Sequence, residues 1–138
     1  MYTIEEYDQA KTKVLKYIMF KKRTEYEIKQ KFSNCDNELL EDVIEELKEN
    51  GYISDNIFIE KQINEYIKLK TLSLKEIKYK LMQKGINKNL IDDYIAKHEE
   101  ELQQYEQESI EKIKKKKQTS MEEEGIQNYL YKRGFKGV

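Results

Sequence analysis

The stretch Glu27-Ile28-Lys29-Gln30-Lys31-Phe32 returns 49 residues later as Glu76-Ile77-Lys78-Tyr79-Lys80-Leu81. A third, more diverged copy begins with Ile126 and Leu130, which follow the matching apolar residues of the second copy by the same interval. A repeat of this length is typical of arrays in which each supersecondary unit stacks on its neighbours. Such arrays present a long surface to a partner rather than one deep pocket, so the period bears on function as well as on fold.

Composition favours helices throughout the chain. The 138 residues include no proline and only five glycines, so few residues interrupt a helix. Apolar residues recur at helical spacing in three successive units, which we place at residues 1–53, 54–98 and 99–138. We therefore predict an all-α protein of tandem three-helix repeats, two complete and the third partial, that form an elongated curved array.

Short polar motifs predict where several helices begin. Thr24 with Glu27, and Ser73 with Glu76, have the spacing of capping boxes at the second helix of each complete unit. Either member of Asp55-Asn56 is expected to cap the long helix that follows. In the third unit, a connecting helix is expected over residues 99–108.

The third unit continues with a further predicted helix that starts at Ile110 and Ile113 and runs into a group of lysines. Thr119 and Ser120 interrupt it, and helix is expected to resume over residues 121–131. The chain stops at Val138, where a third helix of this unit would begin.

Charge alternates along the chain in step with the repeat. Residues 11–31 hold eight basic and two acidic side chains, whereas residues 36–50 hold seven acidic and one basic. Residues 61–88 again hold eight basic and two acidic side chains, and residues 92–108 again hold seven acidic and one basic. Two interpretations stay open: basic and acidic helices that neutralise one another within the molecule, or a basic stripe along one side of the array.

Few residues could perform catalysis or hold a metal. His98 is the only histidine, and Cys35, the only cysteine, lies in a polar turn. The sequence contains no glycine-rich loop that could cradle phosphates and no Cys/His cluster with zinc-site spacing. We predict a protein that is not an enzyme and that uses no cofactor or metal.

The first ten residues lack the apolar core of a signal peptide, and no stretch is apolar enough to span a bilayer. A single cysteine cannot form an internal disulfide. We expect a cytoplasmic protein without a membrane partner.

Basic residues and tyrosines are the candidate contacts for a partner. Lysine and arginine can bind phosphates or an acidic protein surface, and tyrosine rings can stack on the bases of a single strand. Solvated helix faces and helix capping are the competing interpretations. The candidates are Lys21, Lys22, Arg23, Tyr26, Lys29, Lys75, Lys78, Tyr79, Lys112, Lys114, Lys115, Lys116, Lys117, Lys132 and Arg133.

A set of short segments, taken in order, covers nearly the whole chain and resembles a known family. The segments are Arg23-Thr24-Glu25-Tyr26-Glu27-Ile28, Val43-Ile44-Glu45-Glu46-Leu47, Asn50-Gly51-Tyr52-Ile53-Ser54-Asp55 leading to Phe58, Ile77-Lys78-Tyr79-Lys80-Leu81, Lys84-Gly85-Ile86 and Lys132-Arg133-Gly134-Phe135. This ordered set is similar to the RecX family of bacterial regulators of the RecA recombinase.

The resemblance implies tandem three-helix repeats and a non-catalytic protein, expected to be a monomer. Its implied partner is the RecA nucleoprotein filament, bound within the filament groove, with single- or double-stranded DNA as a further partner. Binding would inhibit ATP hydrolysis, strand exchange and activities linked to the SOS response. The chain departs from the family by lacking the last helix of the third repeat, as in a truncated or short member. If it is truncated, Leu130 and Phe135 are expected to lack their cover.

Two other functions compete with this interpretation. A winged-helix transcriptional regulator would use the third helix of the first unit to recognise DNA. The net negative charge of residues 36–50 and the helical pattern over residues 56–70, where a two-stranded wing would lie, argue against it. The second alternative is a helical-repeat adaptor that binds another protein.

Overall fold

A computed structural model describes residues 1–137, and Val138, the predicted end of the third unit, lies outside them. Every regular element in this part of the chain is an α-helix, so the predicted all-α class is confirmed. The eight helices are α1 (Ile4–Phe20), α2 (Glu25–Lys31), α3 (Asn37–Glu49), α4 (Asp55–Leu69), α5 (Leu74–Gln83), α6 (Lys88–Lys97), α7 (Glu99–Lys117) and α8 (Glu123–Lys132).

Both predicted capping boxes are present. The Thr24 hydroxyl accepts from the Glu27 N–H at 3.1 Å, and the Glu27 carboxylate accepts from the Thr24 N–H at 3.0 Å. At the start of α5, Ser73 and Glu76 exchange the same two bonds at 3.1 and 2.9 Å. Each box satisfies two polar groups that a helix N-terminus otherwise leaves without partners.

The predicted cap of α4 is wrong. Ser54, not Asp55 or Asn56, accepts a hydrogen bond from the N–H of Ile57, at 3.3 Å. Asp55 is instead the first residue of α4, and its carboxylate accepts from the backbone N–H of Glu25 at 3.1 Å. The carboxylate thereby supports the N-terminus of α2, where the helix dipole favours a negative charge.

The chain divides into two compact units. The first comprises residues 1–58 and 84–86, and the second comprises residues 59–83 with the chain from residue 87 onward. In the first unit α1 packs against α3. Its core consists of apolar side chains from the first three helices and the segment after α3: Val14, Ile18, Ile28, Leu39, Leu40, Val43, Ile44, Leu47 and Ile53.

In the second unit, α7 runs unbroken from Glu99 to Lys117, so the expected connecting helix and the helix expected to begin at Ile110 are one element. No glycine or proline separates them. Ile110 and Ile113 pack with Ile126, Leu130 and Phe135 in one core. Leu130 and Phe135 are buried, so the expectation that they lack cover is wrong: α7 supplies the cover.

Some of the alternating charge is neutralised inside each unit. Lys11 on α1 pairs with Glu46 on α3, and Lys78 on α5 pairs with Asp92 on α6 at 2.6 Å. These pairs support the intramolecular interpretation in part. Many basic side chains make no ion pair with a described residue, so positive charge also remains on the surface. The segment where a winged-helix protein would have its wing is α4, a 15-residue helix.

Candidate functional site

Two hydrogen bonds reach across a large sequence separation and follow the 49-residue period. The Thr24 hydroxyl donates to the carbonyl oxygen of Lys84 at 2.6 Å, and the Ser73 hydroxyl donates to that of Arg133 at 2.7 Å. Both hydroxyl-bearing residues are fully buried. Each capping residue therefore also holds the turn at Lys84 or Arg133 in place. The sequence alone did not indicate these two contacts.

A carboxylate from a following helix supports each of these junctions. Asp55 serves α2, as described above, and Glu106 serves α5 by accepting from the N–H of Leu74 at 2.8 Å. The second oxygen of Glu106 accepts from the N–H of Lys136 at 2.9 Å. Burial raises the pKa of Asp55, although the hydrogen bond that its carboxylate accepts from the Glu25 N–H acts to lower this pKa.

Arg133 is held in place by several partners. Its guanidinium binds both carboxylate oxygens of Glu76, at 2.9 and 3.3 Å, and donates to the Tyr129 hydroxyl at 3.1 Å and to the carbonyl of Thr71. Burial would lower the pKa of Arg133, but the hydrogen bonds to Glu76 and Tyr129 outweigh it and raise the pKa. Arg133 thus organises the junction of α5 with the segment after α8.

An open depression of about 470 Å³ lies beside this junction, between α5 and the C-terminal end of α8. We call it the α5–α8 depression. It brings together four of the candidate contact residues, Lys75, Tyr79, Lys132 and Arg133, and adds Lys80, which was not a candidate. The stem of Lys75 lies so close to Gly134 that a Cβ there would be 2.8 Å from Cδ of the lysine.

The candidates around the start of α2 form a separate basic group. Lys21 and Lys22 are exposed between α1 and α2. The guanidinium of Arg23 lies over the Tyr17 ring, 4.3 Å from its centroid, in a cation–π contact. Tyr26 is about half exposed, whereas Lys29 is engaged by Glu25 at 3.2 Å.

The lysine cluster, Lys112 with Lys114 to Lys117, occupies the C-terminal half of α7. Lys112 donates to the carbonyl of Leu69 at 2.9 Å, and Lys117 lies over the Tyr129 ring at 4.6 Å. Lys115 and Lys116 are exposed. Cations here also complement the negative end of the α7 dipole, so the cluster has a structural role in addition to any contact with a partner.

Neither of the residues weighed for catalysis lines the α5–α8 depression. The His98 ring stacks on Tyr94, with centroids 4.0 Å apart, and Cys35 is a half-buried free thiol beside the first core. Within residues 1–137, no three His, Cys, Asp or Glu side chains converge as metal ligands would. No helix in the described chain has the length and apolar character needed to cross a membrane.

Arg133 and its neighbour Lys132 are expected to differ in their effect on stability. Arg133→Ala removes a bidentate ion pair and two further hydrogen bonds, and should lower the free energy of unfolding by about 2 kcal/mol. Lys132 is exposed and makes no ion pair with residues 1–137, so Lys132→Ala should change the free energy of unfolding by less than about 0.5 kcal/mol. Urea unfolding followed by circular dichroism measures both, and equal effects would contradict the anchoring role of Arg133.

Comparison with known proteins gives a consistent result. No protein-family model matches the chain. A protein of Clostridium tetani named Regulatory protein RecX is 34% identical over 119 residues, which are 85% of this chain and 53% of that protein. A protein of the same name from Clostridioides difficile is 30% identical over 93 residues, 67% of this chain and 44% of its own length. The chain thus spans about half the length of the curated relatives it matches.

Solved structures share the fold. A crystal structure of regulatory protein RecX superposes with a TM-score of 0.78 at 22% identity, covering 96% of this chain and 69% of the other. The crystal structure of RecX from Lactobacillus salivarius superposes with a TM-score of 0.80 at 18% identity, covering 98% of this chain and 92% of the other. With the related sequences, this agreement shows that the chain belongs to the RecX family of regulatory proteins.

Proposed function

We propose that this protein is a non-catalytic regulator of a RecA recombinase, which binds the RecA nucleoprotein filament and inhibits its ATPase and strand exchange. The observation that carries the proposal is the relationship of up to 85% of the chain to proteins named as RecX regulators. Inhibition of the SOS-linked activities of RecA would follow from the same binding.

The surface chemistry supports a phosphate-rich partner. A nucleoprotein filament carries the phosphates of its bound strand, and lysines without carboxylate partners gain most from contact with them. Three regions offer such lysines: the segment before α2, the α5–α8 depression and the lysine cluster. Each of these regions lies within one of the two compact units.

The two alternatives find less support. A winged-helix regulator would need its recognition helix to approach phosphates, yet α3 carries six acidic residues and one basic residue. A general protein adaptor remains compatible with the helical fold. It differs from the proposed function in a measurable way, since an adaptor without a filament partner would leave RecA unaffected.

The exposed part of the lysine cluster should contribute to filament binding. We expect the double variant Lys115→Glu, Lys116→Glu to bind RecA filaments about three- to tenfold more weakly at moderate salt, because two phosphate contacts become repulsive. Co-sedimentation of the protein with RecA assembled on single-stranded DNA, repeated over a range of salt concentrations, measures the affinity and its salt dependence.

The double variant Lys115→Arg, Lys116→Arg is the matched control, because it keeps both charges and should bind like the original protein. If the glutamate variant bound RecA filaments as tightly as the original protein, these two lysines would not be part of the interface. Failure of the original protein to sediment with the filament at stoichiometric concentration would contradict the proposed function itself.

A further inference from the structure

We propose that an open groove between α6 and the N-terminal half of α7 is a docking site for a basic segment of a partner protein that also carries an apolar side chain. The groove has a volume of about 810 Å³, and we call it the α6–α7 groove. It lies within the second compact unit. The inference goes beyond the proposed function, because it assigns a protein partner to a surface that would repel the phosphates of a nucleoprotein filament.

The groove is acidic. Four carboxylates line it, against one lysine, Lys136. Asp92 already pairs with a lysine of α5 at 2.6 Å, and both oxygens of Glu106 accept backbone hydrogen bonds. Glu99 and Glu100 are exposed, and neither forms an ion pair with any residue that the structure describes. Two negative charges therefore remain for a lysine or arginine of a partner.

The groove combines these charges with apolar surface. Leu74 and Ile95 are half-buried and Ala96 is exposed, so part of the apolar lining faces solvent. An apolar side chain of a partner would remove this surface from water, which favours binding. Gln107 also lines the groove, and its amide can both donate to and accept from the backbone of an extended segment.

The groove depends on an N-terminal extension of α7 that the repeated architecture does not require. Asp55 and Glu106 have the same task, since each accepts from a backbone N–H at the start of α2 or α5. Asp55 is the first residue of α4, whereas Glu106 is the eighth residue of α7. The seven helical residues 99–105 therefore have no helical counterpart before Asp55. Leu102 and Tyr105 in this extension are buried and fix it, while its exposed carboxylates line the groove.

Other ligands match the α6–α7 groove less well. A nucleic-acid strand would bring phosphates next to Glu99 and Glu100, which repel them. Among the residues that the structure describes, no three His, Cys, Asp or Glu side chains are grouped as metal ligands would be. A small polyamine matches the charge but has no side chain for the apolar lining. A basic polypeptide segment matches both, because lysine or arginine and leucine can occur side by side in it.

The test measures, by anisotropy at low salt, how a fluorescently labelled peptide of leucines spaced among lysines binds to the purified protein. The double variant Glu99→Gln, Glu100→Gln should bind it about three- to 30-fold more weakly, because two charge pairs are lost. The matched control is Glu123→Gln, Glu124→Gln. These glutamates are the first two residues of α8, as the other pair is of α7, so both variants lose the same interaction with a helix dipole. The control pair does not line the groove, and its variant should bind normally.

A second peptide, with serine in place of each leucine, tests the apolar lining and should bind about tenfold more weakly. Equal affinity of the two peptides would overturn the inference, as would equal affinity of the two glutamine variants or an absence of peptide binding. Self-association in analytical ultracentrifugation that Glu99→Gln, Glu100→Gln abolishes would assign the groove to the lysine cluster of a second copy and also overturn it. Because RecA is absent from these assays, their outcome is independent of the filament test of the proposed function.

Discussion

Gly85→Ala is expected to lower the free energy of unfolding by about 3 kcal/mol. Gly85 has a φ of +84°, where a side chain costs about 1–2 kcal/mol. A Cβ at this position would also overlap Cβ and Cγ of Tyr26. Those atoms lie next to the α2 backbone, so a rotation of the ring cannot clear them, and the displacement adds about 1–3 kcal/mol. Urea unfolding measured by circular dichroism gives the change from the shift in midpoint.

Gly51→Ala separates the two causes. Gly51 has nearly the same φ, +80°, but no atom lies within 4 Å of the Cβ it would acquire. Gly51→Ala should therefore lower the free energy of unfolding by only about 1 kcal/mol, because of backbone strain alone. If both alanine variants lowered the free energy of unfolding by the same amount, the close approach of Tyr26 to Gly85 would be contradicted.

Glu106→Ala is expected to lower the free energy of unfolding by about 3 kcal/mol. Glu106 is 4% exposed, and its two oxygens accept from the N–H groups of Leu74 and Lys136. Alanine leaves both donors without this partner, and hydrogen bonds to a charged group contribute about 1.5–3 kcal/mol each. It also removes a negative charge from the N-terminus of α5.

Glu108→Ala is the control on the same helix. Glu108 makes an exposed ion pair with Lys70 at 3.0 Å, which should be worth less than about 1 kcal/mol. Glu106→Gln keeps one acceptor oxygen and should fall between the two alanine variants in the urea midpoint. A Glu106→Ala protein as stable as Glu108→Ala would show that the buried carboxylate does not hold the segment after α8 against α5.

The sequence predicts the helices well because their signals are local. The capping boxes at Thr24 and Ser73 depend on residues three positions apart, and both are present. Helical periodicity and the absence of proline likewise act within a few turns. The all-α class follows from such local features, which tertiary packing did not override here.

The errors arise where a side chain has a partner far along the chain. Asp55 is a residue type that commonly caps helices and precedes the pattern of α4. Its carboxylate instead accepts a hydrogen bond at the N-terminus of α2, and Ser54 caps α4. For a truncated third repeat that lacks its last helix, Leu130 and Phe135 are expected to lack cover, but Ile110 and Ile113 of α7 pack against them instead. Local patterns contain no information on such pairings.

The candidate site shows the same limit. Lysines and exposed tyrosines could be selected from composition, but which of them share a surface depends on the junction between α5 and the segment after α8. Arg133 is a candidate contact from the sequence, yet its guanidinium is occupied by Glu76. Lys80 is not among the contacts that the sequence predicts, yet it lines the depression together with Tyr79.

ATP hydrolysis by RecA on single-stranded DNA, followed while this protein is added up to one molecule per RecA monomer, tests the central claim most directly. We predict that the rate falls progressively and that higher salt weakens the effect, because phosphate contacts contribute to binding. A rate that stays unchanged at stoichiometric protein would contradict the assignment of this chain as a filament regulator.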